Sequence, residues 1–133
     1  MPLFLELLRK VSEQDRELAR DALAGLRAYE AAPRGETRPR KPEIVRINGA
    51  CLRDHGGDGP PVVLIPSLIN PPDILDLDEQ VSLAGAIARM GRKALLLDWG
   101  SASRRSDLGV GGHIEMLLLP LLRSIGEPPA LVG

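Results

Sequence analysis

The sequence predicts an α/β fold in which short parallel strands alternate with helices. Three short apolar runs, at 62–65, 94–97 and 130–132, are typical of strands that are buried on both faces of a sheet. Helical patterns separate these runs, and a helical crossover returns the chain to the same edge, so we expect the three strands to pair in parallel. The Asn48-Gly49 pair lies between two earlier strand-like runs and predicts an antiparallel hairpin ahead of them.

Composition and charge exclude several classes of function. The chain has 133 residues, 44% of them hydrophobic, which suits one ordinary domain with a core. Aromatic residues make up 2% and the net charge is −1, so the sequence lacks the stacking rings and the basic surface of a nucleic-acid-binding protein. Cys51 is the single cysteine, so we expect no internal disulfide and no metal-binding cluster of thiols. We also expect no metal site and no bound cofactor.

The first 30 residues predict an N-terminal helical segment. Its opening apolar stretch is interrupted by Glu6 and is too short for a signal sequence or a transmembrane span, so we expect a soluble, cytoplasmic protein. Ser12 is the expected cap of a second helix, with Asp15 in its first turn. Helical spacing places four residues on one stripe, which are Leu18, Ala22, Leu26 and Tyr29. We expect this apolar stripe to pack on its own domain. The alternative is that it docks on another subunit or on a hydrophobic particle.

Residues 31–42 predict a linker rich in proline and arginine, because three prolines and a glycine break both helix and central strand. A contact with acyl-CoA phosphates or with another anionic surface is the alternative. The hairpin strands are expected at 43–47 and 50–54, which begins a third segment, 43–133. The glycine-rich stretch at 54–59 lacks the spacing of a phosphate-binding loop, and His55 within it is expected to be an ordinary loop residue.

The strand at 62–65 leads into a proline-stiffened loop, in which Ser67 is expected to be a turn residue. Asp76 and Glu79 have the spacing of an acidic capping box, which predicts a helix from there to Gly91. The next strand ends at Asp98, and no G-x-G-x-x-G precedes it at the required distance, which argues against a dinucleotide site.

A helical pattern then runs from about 113 to 125, and Pro120 should kink or split it. His113 stands at the start of this pattern, where we expect a polar surface or capping residue and not a catalytic base.

Residues 62–100 carry four short motifs in order: Ile69-Asn70, Ile74-Leu75-Asp76-Leu77, Ser82-Leu83 and Asp98-Trp99. This stretch resembles the corresponding part of polyhydroxyalkanoate synthases, above all the class III type, within the α/β-hydrolase superfamily. The resemblance implies an incomplete α/β-hydrolase fold, in which the hairpin is followed by parallel strands with crossover helices.

The resemblance also implies a function for the intact protein. The last strand of such enzymes runs into a nucleophile elbow, G-x-C-x-G or G-x-S-x-G, so Gly133 would be its first glycine and residues 1–133 would be an inactive N-terminal fragment without nucleophile, base or acid. Cys51 lies on an early strand and is not the expected nucleophile. The synthases transfer a 3-hydroxyacyl group from coenzyme A, their substrate, to a cysteine and then to a growing polymer. A homo-oligomer, a second synthase subunit and the polymer granule surface are the implied partners.

One part of the reaction machinery is expected within this chain. In α/β-hydrolases one oxyanion-hole N–H comes from the loop after the first central strand, which corresponds to Leu68 or Ile69 here. Asn70 is expected to hold that loop in shape. The alternative is that 67–70 is only a tight connection between strand and helix. Two other functions stay open: an ester or thioester hydrolase of the same fold, and a small non-catalytic protein that binds a partner or a granule.

Overall fold

A computed structural model describes residues 2–32 and 39–133 of the chain. The chain forms two compact units, Met1–Thr37 and Arg38–Gly133. Residues 33–38 of the predicted linker lie outside the described residues. In the part of the chain that is described, no helix combines the length and apolar composition that crossing a bilayer requires.

The first unit consists of two helices, α1 (Pro2–Gln14) and α2 (Arg16–Ala31). Asp15 is the N-cap of α2, and its carboxylate accepts hydrogen bonds from the amides of residues 17 and 18, both at 3.0 Å. The expected cap at Ser12 is wrong, because Ser12 lies inside α1 and donates to the Arg9 carbonyl at 2.8 Å. A carboxylate that accepts two amides at once makes Asp15 the better cap.

The second unit is built on a mixed five-stranded sheet, which confirms the α/β class. Its strand order is β1-β2-β4-β3-β5. β2 pairs antiparallel with both β1 and β4, whereas β3 pairs parallel with β4 and β5. The strands are β1 (Glu43–Ile47), β2 (Ala50–Asp54), β3 (Pro61–Leu64), β4 (Lys93–Asp98) and β5 (Ala130–Val132).

Helices cover both faces of the sheet, because successive strand residues point to opposite sides. On one face, α3 (Leu83–Arg89) buries Ala84 against Leu64 and Leu96. On the other face lies the split helix, three consecutive pieces named α4 (Val110–His113), a π-helical turn (Ile114–Leu118) and α5 (Leu119–Arg123). It packs on the larger core, whose buried members include Val63, Leu95, Leu97, Leu117 and Leu121.

Pro120 explains why this helix is divided. Proline has no N–H, so the Met116 carbonyl cannot accept the usual bond from the residue four positions later. The π-helical turn precedes the proline, with the Leu119 N–H bonding to Ile114 five residues back. The side-chain amide of Asn48 donates to the Met116 carbonyl at 3.1 Å, which ties the β1–β2 turn to the helix.

The segment between β3 and α3 differs from the expected helix start at Asp76. Residues Pro72–Leu75 form one short 3₁₀ turn, and Asp76 bridges to Ser82. The Asp78 carboxylate then accepts from two main-chain amides, at 2.6 and 2.7 Å, and so closes a turn. α3 begins only at Leu83, where the Ser82 hydroxyl caps the Gly85 amide at 2.8 Å.

Candidate functional site

The candidate site lies at the carboxyl ends of the parallel strands. The chain passes from β3 to β4 on one side and then to β5 on the other side of β3. In open α/β sheets, ligands bind outside the carboxyl end of the strand at which the connections change direction. The segments to consider are therefore the loop after β3, residues 65–71, and the loop after β4, residues 99–109.

The loop after β3 presents two unused main-chain donors. The Ser67 hydroxyl accepts from the Asn70 amide at 3.2 Å, which closes a tight turn over Leu68 and Ile69. Within the described residues, the N–H groups of Leu68 and Ile69 donate no hydrogen bond. Asn70 contributes its main chain to the turn, while Ile69 is 90% exposed. Two adjacent main-chain N–H groups of this turn are thus without a hydrogen-bond acceptor within the described residues.

The loop after β4 holds this first loop through its carbonyl groups. The Trp99 indole Nε1 donates to the Pro66 carbonyl at 2.8 Å, and this bond is buried. The Arg105 Nη2 donates to the Leu68 carbonyl at 2.7 Å. Because the carbonyl groups of residues 66 and 68 point to these side chains, the backbone between them is fixed and the Ile69 amide is held in one orientation.

His113 holds the Arg105 guanidinium in place through a hydrogen bond. Its Nδ1 lies 2.9 Å from the Gly109 carbonyl, which can only accept, so Nδ1 carries the proton. Its Nε2 is then free to accept from Arg105 Nη1 at 3.0 Å. The ring also packs edge-on to Trp99, with centroids 5.8 Å apart. The expected surface or capping role for His113 is wrong, because the residue is 5% exposed and braces the guanidinium.

Asp98 at the end of β4 is a structural acid. Its Oδ2 accepts from Arg53 Nη2 at 3.2 Å, with both side chains largely buried, and its Oδ1 accepts from the Gly100 amide at 2.9 Å. Gly100 has φ +72°, and a Cβ there would lie 2.4 Å from the Gly49 carbonyl oxygen. The strand end therefore needs glycine for its close approach to the hairpin turn.

A cleft of about 550 Å³ lies between these loops. The Ile69 and Asn70 side of the first loop forms part of its wall. Five arginines line it, and we call it the arginine cleft; they are Arg40, Arg46, Arg53, Arg104 and Arg105. Asp98 is the acidic residue in the described part of its lining.

The remaining candidates lie as follows. Cys51 on β2 is buried, and its burial raises the pKa of the thiol to about 11, so it is protonated and a poor nucleophile at neutral pH. His55 lies at the opposite end of the parallel strands, where its Nδ1 is 3.5 Å from a carboxylate oxygen of Asp76. Gly133 follows β5, and the Val132 carbonyl accepts from the Ile65 amide at 2.8 Å, so the ends of β3 and β5 are adjacent.

Sequence reasoning named an anionic contact as the alternative for residues 31–42, which include Arg40, but missed the other four arginines of the cleft and the Trp99–Arg105–His113 network. The arginines come from separate segments of the sequence, and no periodic pattern joins them. Within the described residues, no group of three or more metal-ligating side chains is suited to hold an ion.

Comparisons with protein-family models, with curated proteins and with solved structures found no match to this chain.

Proposed function

We propose that this chain forms the N-terminal part of an α/β-hydrolase-type acyltransferase that resembles polyhydroxyalkanoate synthases. The reaction is transfer of a 3-hydroxyacyl group from coenzyme A to a cysteine, and then to the hydroxyl end of a growing polymer. The carrying observation is the pair of unused N–H groups at Leu68 and Ile69, fixed beside the carboxyl ends of β3 and β5.

The sheet topology supports this proposal. The order β1-β2-β4-β3-β5, with β2 as the antiparallel strand, is the order in which α/β-hydrolase sheets begin. In that family the loop after β3 supplies an oxyanion donor, and the nucleophile elbow follows β5. Gly133 follows directly on β5, which supports its proposed role as the first glycine of such an elbow.

The proposed chemistry uses residues 1–133 for charge stabilisation alone. A cysteine thiolate attacks the thioester carbonyl, and the electron pair of the C=O bond moves to the oxygen. The N–H of Leu68 or Ile69 donates to this oxyanion together with the N–H of the residue after the nucleophile, and the oxyanion collapses as the C–S bond to coenzyme A breaks and the released thiolate takes up a proton. Removing one such donor costs about 10²–10³ in turnover in other acyl-transfer enzymes. The nucleophile, histidine base and aspartate belong to the part of the fold after Gly133.

The open edge of β5 supports a sheet that continues. β5 is the last strand in the sheet order, and its apolar side chains Leu131 and Val132 are 53% and 39% exposed. Parallel sheets are normally buried on both faces and at their central strands. A further strand beside β5 would cover this edge.

The test is the reading frame after the codon for Gly133, followed by an assay of the encoded protein. We expect an in-frame G-x-C-x-G motif and release of free coenzyme A from 3-hydroxybutyryl-CoA. Ile69→Pro, which removes one N–H, should lower kcat by about 10²–10³. Ile69→Ala keeps the N–H at the same position and is the matched control, with a small effect expected because the Ile69 side chain is 90% exposed.

Other outcomes contradict the proposal in distinct ways. A G-x-S-x-G motif with release of free acid identifies a hydrolase of the same fold. A stop codon, with no release of coenzyme A, supports the partner- or granule-binding alternative, which the exposed leucines of α1 also favour; Leu3, Leu5 and Leu7 are 87%, 56% and 60% exposed.

A further inference from the structure

We propose that the arginine cleft binds the phosphate or diphosphate group of an organic ligand. The anion site is inferred from the cleft itself, independently of the proposed function. The identity of the ligand rests on the proposed function, in which the diphosphate belongs to the nucleotide end of a coenzyme A thioester.

The charges of the cleft are not balanced by its own carboxylates. Arg53 is paired with Asp98 at 3.2 Å, and Arg46 is paired with Glu43. The other three arginines have no carboxylate partner among the described residues; these are Arg40, Arg104 and Arg105. A cleft with three unneutralised cations attracts an anion of two or three negative charges.

Arg105 is positioned in advance for this role. Its two terminal nitrogens donate to neutral groups, the Leu68 carbonyl and the His113 ring, so its positive charge stays uncompensated. Its Nε is buried and has no hydrogen-bond partner within the described residues. The guanidinium is therefore fixed without being neutralised, so little side-chain entropy is lost when an anion binds.

Arg40 and Arg104 supply the direct contacts. Both are exposed and come from separate segments of the chain, Arg40 from the segment before β1 and Arg104 from the loop after β4. A guanidinium donates two parallel hydrogen bonds to phosphate oxygens, which makes arginine the preferred residue for this group.

The position of the cleft connects it to the candidate oxyanion loop. Ile69 and Asn70 form part of its wall, so a ligand with its phosphates among the arginines lies against the loop that carries the unused N–H groups. The volume of about 550 Å³ lies within the range of small-molecule sites. A single ligand would have its phosphate-bearing end among the arginines and its reacting end at the loop after β3.

Trp99 makes the proposal directly measurable. It is the single tryptophan of the chain and lines the cleft, so its fluorescence reports binding there. We expect inorganic diphosphate to change the fluorescence of the 133-residue chain saturably, with an affinity that falls as salt is added. Arg104→Gln should weaken this binding about tenfold, the effect of one charge-assisted hydrogen bond. Arg92→Gln is the matched control, because Arg92 is exposed, its side chain makes no hydrogen bond or ion pair within the described residues, and it lies outside the cleft.

Two results would overturn the proposal: no saturable response to diphosphate, or equal weakening by Arg92→Gln and Arg104→Gln, which would show a general charge effect. Coenzyme A that competes with diphosphate, with pantetheine that does not, supports the site and assigns it to the nucleotide end. Diphosphate binding without competition by coenzyme A also supports the site, but assigns it to a free phosphate compound and counts against the proposed acyl transfer. The two proposals therefore fail separately.

Discussion

The two ends of the parallel strands are held together by different means. At the amino ends, main-chain segments contact each other at glycine residues. A Cβ on Gly57 would lie 1.9 Å from the Arg92 carbonyl oxygen, and one on Gly59 would lie 2.1 Å from that of Gly91. Main-chain hydrogen bonds close the same region, among them Ala94 N–H to the carbonyl of residue 56 at 2.9 Å.

At the carboxyl ends, side chains hold the backbone. Trp99 and Arg105 donate to carbonyl groups of the loop after β3, and Asn48 donates to the split helix. At the carboxyl ends, Gly100 lies close to the main chain of Gly49. A side-chain contact can be changed one residue at a time without moving the strands, whereas a backbone contact cannot. The amino ends thus stabilise the sheet, and the carboxyl ends leave room for a site that can vary.

The largest effect should come from the amino ends. Gly57→Ala places a methyl group against the Arg92 carbonyl and at a φ of +87°, so we expect the free energy of unfolding to fall by about 3 kcal/mol. Urea unfolding followed by Trp99 fluorescence measures this in the sheet unit. Gly111→Ala is the control: its position in α4 is open, and alanine there should stabilise the helix by about 0.5–1 kcal/mol. Equal stability of the two variants would contradict the comparison.

A smaller effect is expected where a side chain supports the loop after β3. Arg105→Gln leaves the Leu68 carbonyl and His113 Nε2 without their donor, which should cost about 2 kcal/mol in the free energy of unfolding. Arg104→Gln removes one positive charge from the adjacent residue. Arg104 is exposed and has no carboxylate partner in the described chain, so this change should alter the free energy of unfolding by less than about 0.5 kcal/mol. If both variants lose stability equally, charge and not the hydrogen bonds holds this end.

The smallest effect concerns the link between hairpin and split helix. Asn48→Gly removes the amide that donates to Met116 but suits the φ of +48°, so the loss should be about 1 kcal/mol. Pro120→Ala returns a main-chain N–H within reach of the same carbonyl. In that background Asn48→Gly should cost little, giving a coupling of about 1 kcal/mol in a double-mutant cycle. Additive effects would show that proline and asparagine act independently.

The strands were predictable because their signals are local. The apolar runs at 62–65 and 94–97 fall on β3 and β4 with small changes at their ends. The start of α3 was not predictable from Asp76 and Glu79, because the Asp78 carboxylate closes a competing turn and Ser82 takes the cap. Several acceptors close together allow more than one turn, and packing of Leu83–Arg89 on the sheet selects among them.

The site was less predictable than the fold, for a physical reason. Leu68 and Ile69 could be chosen from a loop that follows a strand, and their unused N–H groups are a backbone property. Arg105 reaches the Leu68 carbonyl, 37 residues away in the chain, because the loop after β4 folds back onto the loop after β3. Charge in the sequence is nearly balanced at −1, which hides a local excess of positive charge in the cleft.

The sheet has two unlike borders, and this gives any growth of the sheet a direction. β1 is interrupted by a bulge between Glu43 and Val45, and it carries the ion pair of Glu43 with Arg46. Such features discourage the addition of another strand. β5 offers instead a regular ladder and the hydrocarbon of Leu131 and Val132. A neighbouring polypeptide, from this protein or from another, would therefore join beside β5, next to Gly133 and the turn at Ser67.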